Sequence, residues 1–282
     1  MKLENINWYP GHMKKTRELI NENLKMVDMV VEVVDSRIPI SSRNPIIDEI
    51  VKDKPRIIAL NKSDLSDSAV NSKWQSFFQE KGSKVVQLNC NTGQGIKELE
   101  KVLLKAQEEK NKDQIRKKHL RLMIVGVPNV GKSSLINRMT GKKSTQTGDR
   151  PGVTKGKQWL TLKNGMQLLD TPGILWPKFE DVKVGLDLAF CGSIKDEIMD
   201  LESLALELIA MLGKEYPNLL MNRYKLDAIS EQPLENMEAI CKSRGFILPG
   251  KRFDYERCAK TVLDEFRSGK IGKISLERPS ND

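Results

Sequence analysis

The stretch Leu122-Met123-Ile124-Val125-Gly126-Val127-Pro128-Asn129-Val130-Gly131-Lys132-Ser133-Ser134 decides the fold. Its apolar opening is short, aliphatic and stopped by a glycine turn, as a strand is when helices cover both faces of its sheet. The residues that follow predict a helix over 133–139. Between them, Gly126 and Gly131-Lys132-Ser133 match the spacing G-x-x-x-x-G-K-[ST]. Glycines at those places let backbone N–H groups turn inward around phosphate oxygens, and the helix N-terminus adds the positive end of its dipole. The Lys132 ammonium is placed for the β- and γ-phosphates of a nucleotide, and the Ser133 hydroxyl for Mg²⁺. Asn129, Val130, Gly131, Lys132, Ser133 and Ser134 are therefore the candidate phosphate contacts.

Downstream, an apolar strand over 166–169 runs into Asp170-Thr171-Pro172-Gly173. A carboxylate at a strand end can hold Mg²⁺ through water, and Gly173 has no Cβ to keep its N–H from a γ-phosphate. Between the two phosphate motifs, Thr154 sits in Gly148-Asp149-Arg150-Pro151-Gly152-Val153-Thr154. Its hydroxyl is the candidate for a Mg²⁺ contact that forms only with the γ-phosphate. Upstream, an apolar run over 57–60 ends in Asn61-Lys62-Ser63-Asp64. Guanine offers N1–H and its N2 amino group side by side, and the Asp64 carboxylate can accept from both. The Lys62 stem can lie over the base, and Asn61 can tie neighbouring loops together. A strand over 84–88 ends in Asn89-Cys90-Asn91, whose backbone is expected to supply a further contact to guanine O6. Together these motifs read as a GTP site with Ser133, Thr154 and Asp170 around the metal.

Strands expected over 29–34, 57–60, 84–88, 122–125 and 166–169 alternate with helices expected over 68–80 and from 96 towards His119. That alternation implies an α/β sheet with right-handed crossovers. After Gly173 only helical spacing is visible, over 184–189, 201–212, 234–241 and 255–266, with no convincing strand. In the last of these, Tyr255, Ala259, Val262, Leu263 and Phe266 share one face. A nucleotide domain over 1–180 and a smaller helical domain over 181–282 follow. Net charge is +9, but the first 181 residues carry +11 and the remainder −2. Basic residues crowd into 101–121 and 138–163, which points to a polyanionic partner, whether RNA, DNA or anionic lipid. The four cysteines form no C-x-x-C pair, which argues against a zinc or disulfide framework. No apolar run approaches the ~20 residues of a membrane span, and the opening residues lack a signal-peptide core. A cytoplasmic monomer with no membrane partner is expected.

The motifs are those of a Ras-like GTPase in a changed order: 61–64, 89–91, 126–133, Thr154, 170–173. With Trp8-Tyr9-Pro10-Gly11-His12-Met13 and Asp170-Thr171-Pro172-Gly173-Ile174-Leu175-Trp176-Pro177, the chain resembles the ribosome biogenesis GTPase A family, which is circularly permuted. The resemblance runs from Trp8 to the final helices. It implies a GTPase stimulated by the large ribosomal subunit and acting late in that subunit's assembly, with a helical domain that contacts rRNA. It also implies that His12 is catalytic and that Asn129 helps bind K⁺. The residues agree with the need for an unusual catalytic group: Ras-like enzymes place a water-orienting glutamine directly after the D-x-x-G glycine. Here that position is Ile174, which can neither donate nor accept a hydrogen bond. Other readings stay open, namely an RNA-binding scaffold in which GTP only orders the structure and a tRNA-modification-type GTPase. The latter would call for a further catalytic domain.

Overall fold

The computed structural model describes residues 18, 20–43, 45–51, 54–141, 159–169 and 181–279. They form two compact units, one holding the described residues up to Leu169 together with 275–279, the other 181–274. The sequence placed the boundary near 180 and assigned everything beyond it to the helical part. In the structure the chain comes back after Ile274 to lie against the first unit.

That first unit is built on a six-stranded sheet of β1 (Met29–Asp35), β2 (Arg56–Asn61), β3 (Lys84–Gln87), β4 (Arg121–Val125), β5 (Trp159–Thr161) and β6 (Gln167–Leu169), in the spatial order β3-β2-β1-β4-β6-β5. All neighbours are parallel except β5, which runs antiparallel to β6. The phosphate-loop strand β4 is fourth in the chain yet central in space. A Ras-like sheet has this arrangement once its chain is opened elsewhere. Parallel strands put their carboxyl ends on one edge, so the loops after β1, β2, β3 and β4 all leave from the same side, where α/β sheets bind ligands.

Strand β1 is buried along its whole length, as expected for a sheet covered on both faces. On one face Val30, Met123, Val125 and Leu169 pack with Ile20, Leu24 and Ile47. Further along the same face Val34, Ile58 and Leu60 meet Val70, Trp74 and Phe78 of α2 (Ser68–Glu80), preceded in the chain by the short helix α1 (Pro45–Ile50). The Trp74 and Phe78 rings stack at 5.6 Å, while Phe77 is only partly buried. Helix α2 starts where Asp67 accepts from Ala69 N at 2.8 Å. Glu32, in the middle of β1, is the one carboxylate on this strand's apolar run. Burial pushes it up, and the guanidinium groups of Arg43 and Arg56, each 3.3 Å away, only partly offset that.

Two expectations need correction. The helix expected to reach His119 stops earlier: α3 spans Ile96–Asn111. Its end is closed by Asn111 itself, whose side chain accepts from Lys118 N at 2.8 Å and donates to Lys118 O at 3.0 Å, turning the basic run into a loop. The second unit also contains a strand pair, β7 (Ile247–Leu248) with β8 (Arg252–Phe253), where only helices were expected. The turn between them places Gly250 at φ +81°, and strands of two residues show no alternation to read.

Otherwise that unit is helical, with α5 (Val182–Phe190), α6 (Leu201–Glu215), α7 (Pro217–Tyr224), α8 (Pro233–Arg244) and α9 (Tyr255–Arg267), numbered after α4 (Lys132–Thr140) of the first unit. Ala259, Val262, Leu263 and Phe266 of α9 are buried as one stripe, whereas Tyr255 lies at its rim and donates to Glu238 at 2.6 Å. Arg267 closes α5 by donating to the carbonyls of Ala189 and Phe190 at 2.9 and 3.1 Å.

Candidate nucleotide-binding site

Helix α4 follows Gly131, which has φ +105° and gives no side-chain cap, and the N-terminus of a helix is a place where backbone N–H groups and the dipole favour an anion. Each glycine of the loop is required by a neighbour. A Cβ on Gly126 would lie 2.4 Å from Val33 O of the adjacent strand, and one on Gly131 would lie 2.2 Å from Asn61 Nδ2. Asn129 also takes a left-handed φ of 60°, at the exposed crest of the loop. Val130 is fully buried, and Ser133 and Ser134 are half-buried in the first turn of α4. Lys132 donates its Nζ to Val127 O at 2.6 Å, and burial pulls its ammonium down to about 8.

Asn61 joins this loop to two others. Its Nδ2 donates to Val130 O at 2.7 Å and its Oδ1 accepts from Cys90 N at 3.0 Å. Each such bond is worth about 1 kcal/mol net, and removing the buried amide would cost more, because two backbone groups would lose their partner. Ser63 fastens the same motif to β3 through its Oγ, 2.9 Å from Leu88 O. The loop after β3 is shaped by Asn89, whose side chain accepts from Asn91 N at 2.9 Å and Thr92 N at 3.1 Å. Arg138 of α4 closes it from the other side, donating to Cys90 O at 2.9 Å and to Asn91 O. The N–H groups of Cys90 and Asn91 are thus both engaged, and a contact to guanine O6 would compete with one of these bonds. The Cys90 thiol itself is pushed up to about 12 by burial, so it stays neutral. Asp64 follows the turn and is half-buried.

The structure therefore brings together Asn61, Lys62, Asp64, Asn89, Cys90, Asn129, Val130, Gly131, Lys132, Ser133 and Ser134 at one edge of the sheet. His12, Thr154, Asp170 and Gly173 lie outside the described residues. Two participants had no motif to announce them. Arg138 is one. The other is Asp35, whose carboxylate lies 3.0 Å from the Lys62 ammonium. A charged residue closing a strand that is apolar but for Glu32 was the available signal.

Residues 121–222 match the family model described as "50S ribosome-binding GTPase". The chain is 48% identical to "Ribosome biogenesis GTPase A" of Bacillus cereus, over 97% of this chain and 94% of that one. The chain belongs to the ribosome biogenesis GTPase A family. It is a GTP hydrolase with the circularly permuted fold, and it binds GTP and GDP. Among solved structures, the GNP-bound YlqF from T. maritima is 30% identical, with a TM-score of 0.66 over 95% of this chain and all of that one. The GDP-bound YlqF is 28% identical, with a TM-score of 0.65 over 93% and 99%. The family's relatives include "Mitochondrial ribosome-associated GTPase 1" of Mus musculus, 36% identical over 96% of this chain and 90% of that protein. No helix among the described residues is long and apolar enough to cross a membrane.

GTPases of this kind use Mg²⁺, and the donors fit it. Among the described residues no cluster of three acidic, histidine or cysteine side chains forms a metal cage. Mg²⁺ held through phosphates and one or two protein oxygens needs none, and Ser133 offers a hard hydroxyl at the mouth of the phosphate loop.

Proposed function

We propose that this GTPase binds the precursor of the large ribosomal subunit and uses GTP hydrolysis as a switch late in that subunit's assembly. The observation that carries this reading is the strand order. With β6 beside the central β4 and the helical unit following β6 in the chain, residues 170–173 are the last of the nucleotide motifs. Loss of the γ-phosphate at Gly173 can therefore be passed along the chain to the second unit, which follows it in sequence. The charge of +11 over the first 181 residues suits an RNA surface. The names of the relatives, which refer to ribosome biogenesis and to the ribosome, agree with it.

In this reading Ser133, Thr154 and Asp170 surround Mg²⁺, which would neutralise charge on the phosphates. Gly173 senses the γ-phosphate, Asp64 reads guanine, and Asn129 contributes to a K⁺ site. His12 orients the attacking water in place of the glutamine that Ile174 displaces. The test is GTP hydrolysis with and without purified ribosomal subunits, in K⁺ and in Na⁺. Strong stimulation by large subunits is expected. Equal turnover with and without them, together with RNA affinity indifferent to GTP, GDP or no nucleotide, would leave an RNA-binding scaffold instead.

A further inference from the structure

The loop between β1 and α1, residues 36–43, touches the nucleotide site through one side chain. Asp35 closes β1 and pairs in register with Asn61, and Ser36 N donates to Asn61 O at 2.9 Å. The Asp35 carboxylate is almost wholly buried, with two cations on it. Arg37 donates to Oδ1 from its backbone N at 3.1 Å and from Nε at 3.0 Å, and to Oδ2 from Nη2 at 2.8 Å. On the outer side the Lys62 ammonium reaches Oδ2 at 3.0 Å. Arg37 is itself buried, its side chain 1% exposed, while that of Lys62 is 22% exposed. Burial alone would push the Asp35 carboxyl up, but the two cations outweigh it and hold it well below the usual range, so it is charged.

Arg37 already neutralises Asp35. The bond to Lys62 is therefore additional to a complete internal pair, and it acts on Lys62 more than on the loop. Lys62 is constrained at both ends. Its backbone sits at a left-handed φ of 58°, uncommon for a residue with a Cβ, and its ammonium is tethered to Asp35. A lysine stem stretched between two fixed points is a flat apolar wall of set position, suited to one face of a purine. Free in solution, the same stem gives up its rotamer freedom when it is ordered.

We propose that Asp35 is a positioning residue for guanine nucleotides, holding the Lys62 stem in place before the base arrives. Arg37 keeps Asp35 aligned, and the rest of the loop keeps Arg37 aligned. Ser42 Oγ accepts from Asp35 N at 3.0 Å and donates to Ile38 O at 2.7 Å. Arg37 O accepts from Leu276 N at 2.9 Å, and Glu277 accepts from Ile40 N and Ser41 N at 2.6 and 2.9 Å and from Ser41 Oγ. The returning chain at 275–277 is part of the support.

The inference rests on the reading of residues 61–64 as the guanine-binding segment, so Asp64→Asn is run alongside. Asp35→Asn should raise the KM for GTP and the Kd for GDP about tenfold while kcat stays within about twofold, because the base is unchanged in the transition state. In a Lys62→Met background the same substitution should have no further effect, since the tether is already gone. A loop staple with no positioning role would lower thermal stability and leave the ratio of KM to kcat alone. It would also weaken both backgrounds equally, and either result overturns the proposal. Should Asp35→Asn fail to fold, Asp35→Glu keeps the charge and displaces it by one methylene. About a threefold rise in Kd that vanishes with Lys62→Met supports the proposal, and no rise overturns it. A loss at Asp64 with none at Asp35 overturns this inference alone. No loss at Asp64 overturns the guanine reading and the inference with it.

Discussion

Asn61 occupies the space that a side chain on Gly131 would need: its Nδ2 would lie 2.2 Å from a Cβ built there. The guanine motif and the phosphate loop, 70 residues apart by residue number, are packed against each other with no room to spare. Gly131→Ala should therefore damage both at once. The φ of +105° adds strain that no L side chain relieves. The expected result is a loss of about 1–3 kcal/mol in unfolding free energy, measured by denaturant titration, and failure to bind GDP in calorimetry. Asn61→Gly in the same chain should restore part of the stability but not the binding, because the Val130 and Cys90 bonds are gone.

Lys132 should make nucleotide affinity sensitive to alkali. Burial lowers its ammonium to about 8 in the free protein, and phosphate oxygens would raise it again. Binding then takes up a proton once the pH exceeds 8, so GDP affinity is full below pH 8 and falls as pH rises beyond it. The stability of the nucleotide-free protein has the opposite slope. Its unfolded chain binds the proton up to the ordinary lysine value of ~10.4, so this group adds stability as pH rises through that window. Calorimetry in buffers of different ionisation enthalpy should show proton uptake at pH 9 that disappears in Lys132→Met. Lys132→Ala should also abolish hydrolysis.

Asp64→Asn should weaken GTP binding by at least ~2 kcal/mol and partly admit xanthine nucleotides, whose extra carbonyl suits an amide donor. A competition titration with GDP and XDP reads both effects. Unchanged GDP affinity would remove Asp64 from the site.

His12→Ala should keep nucleotide affinity and large-subunit binding while lowering subunit-stimulated hydrolysis by roughly 10²-fold or more. The defect should be much smaller in the absence of ribosomes. Stimulated turnover within about twofold of wild type, with binding intact, would return His12 to an ordinary turn residue.

Much of the nucleotide site was legible because its chemistry is local. The glycines, Lys132, Asn61 and Asp64 each follow a strand and sit in short motifs whose spacing carries the geometry. The strands β1, β2 and β4 were legible as apolar runs, broken in β1 only by Glu32. The contributions of Asp35, Arg37 and Arg138 were not, because each depends on which loops the sheet order brings together. The hairpin at 247–253 was hidden by its brevity, and the end of α3 by an Asn111 side chain that substitutes for a glycine stop. The return of 275–277 was the least legible of all. Ser275, Leu276 and Glu277 have no pattern in sequence, and their partners at Arg37, Ser41 and Asp67 lie more than 200 residues earlier.

That return has a consequence for how the protein is made. The six described strands have all been made once Leu169 has been synthesised, but the 36–43 loop lacks its covering residues until Glu277 leaves the ribosomal tunnel. At ~5–20 residues per second, the interval between Leu169 and Glu277 is roughly 5–20 s of translation. During that time the nascent chain would carry an assembled phosphate loop with its base-side support unfinished. Nucleotide capture at full affinity would then be a late event in biosynthesis, reserved for chains whose helical unit has already been translated.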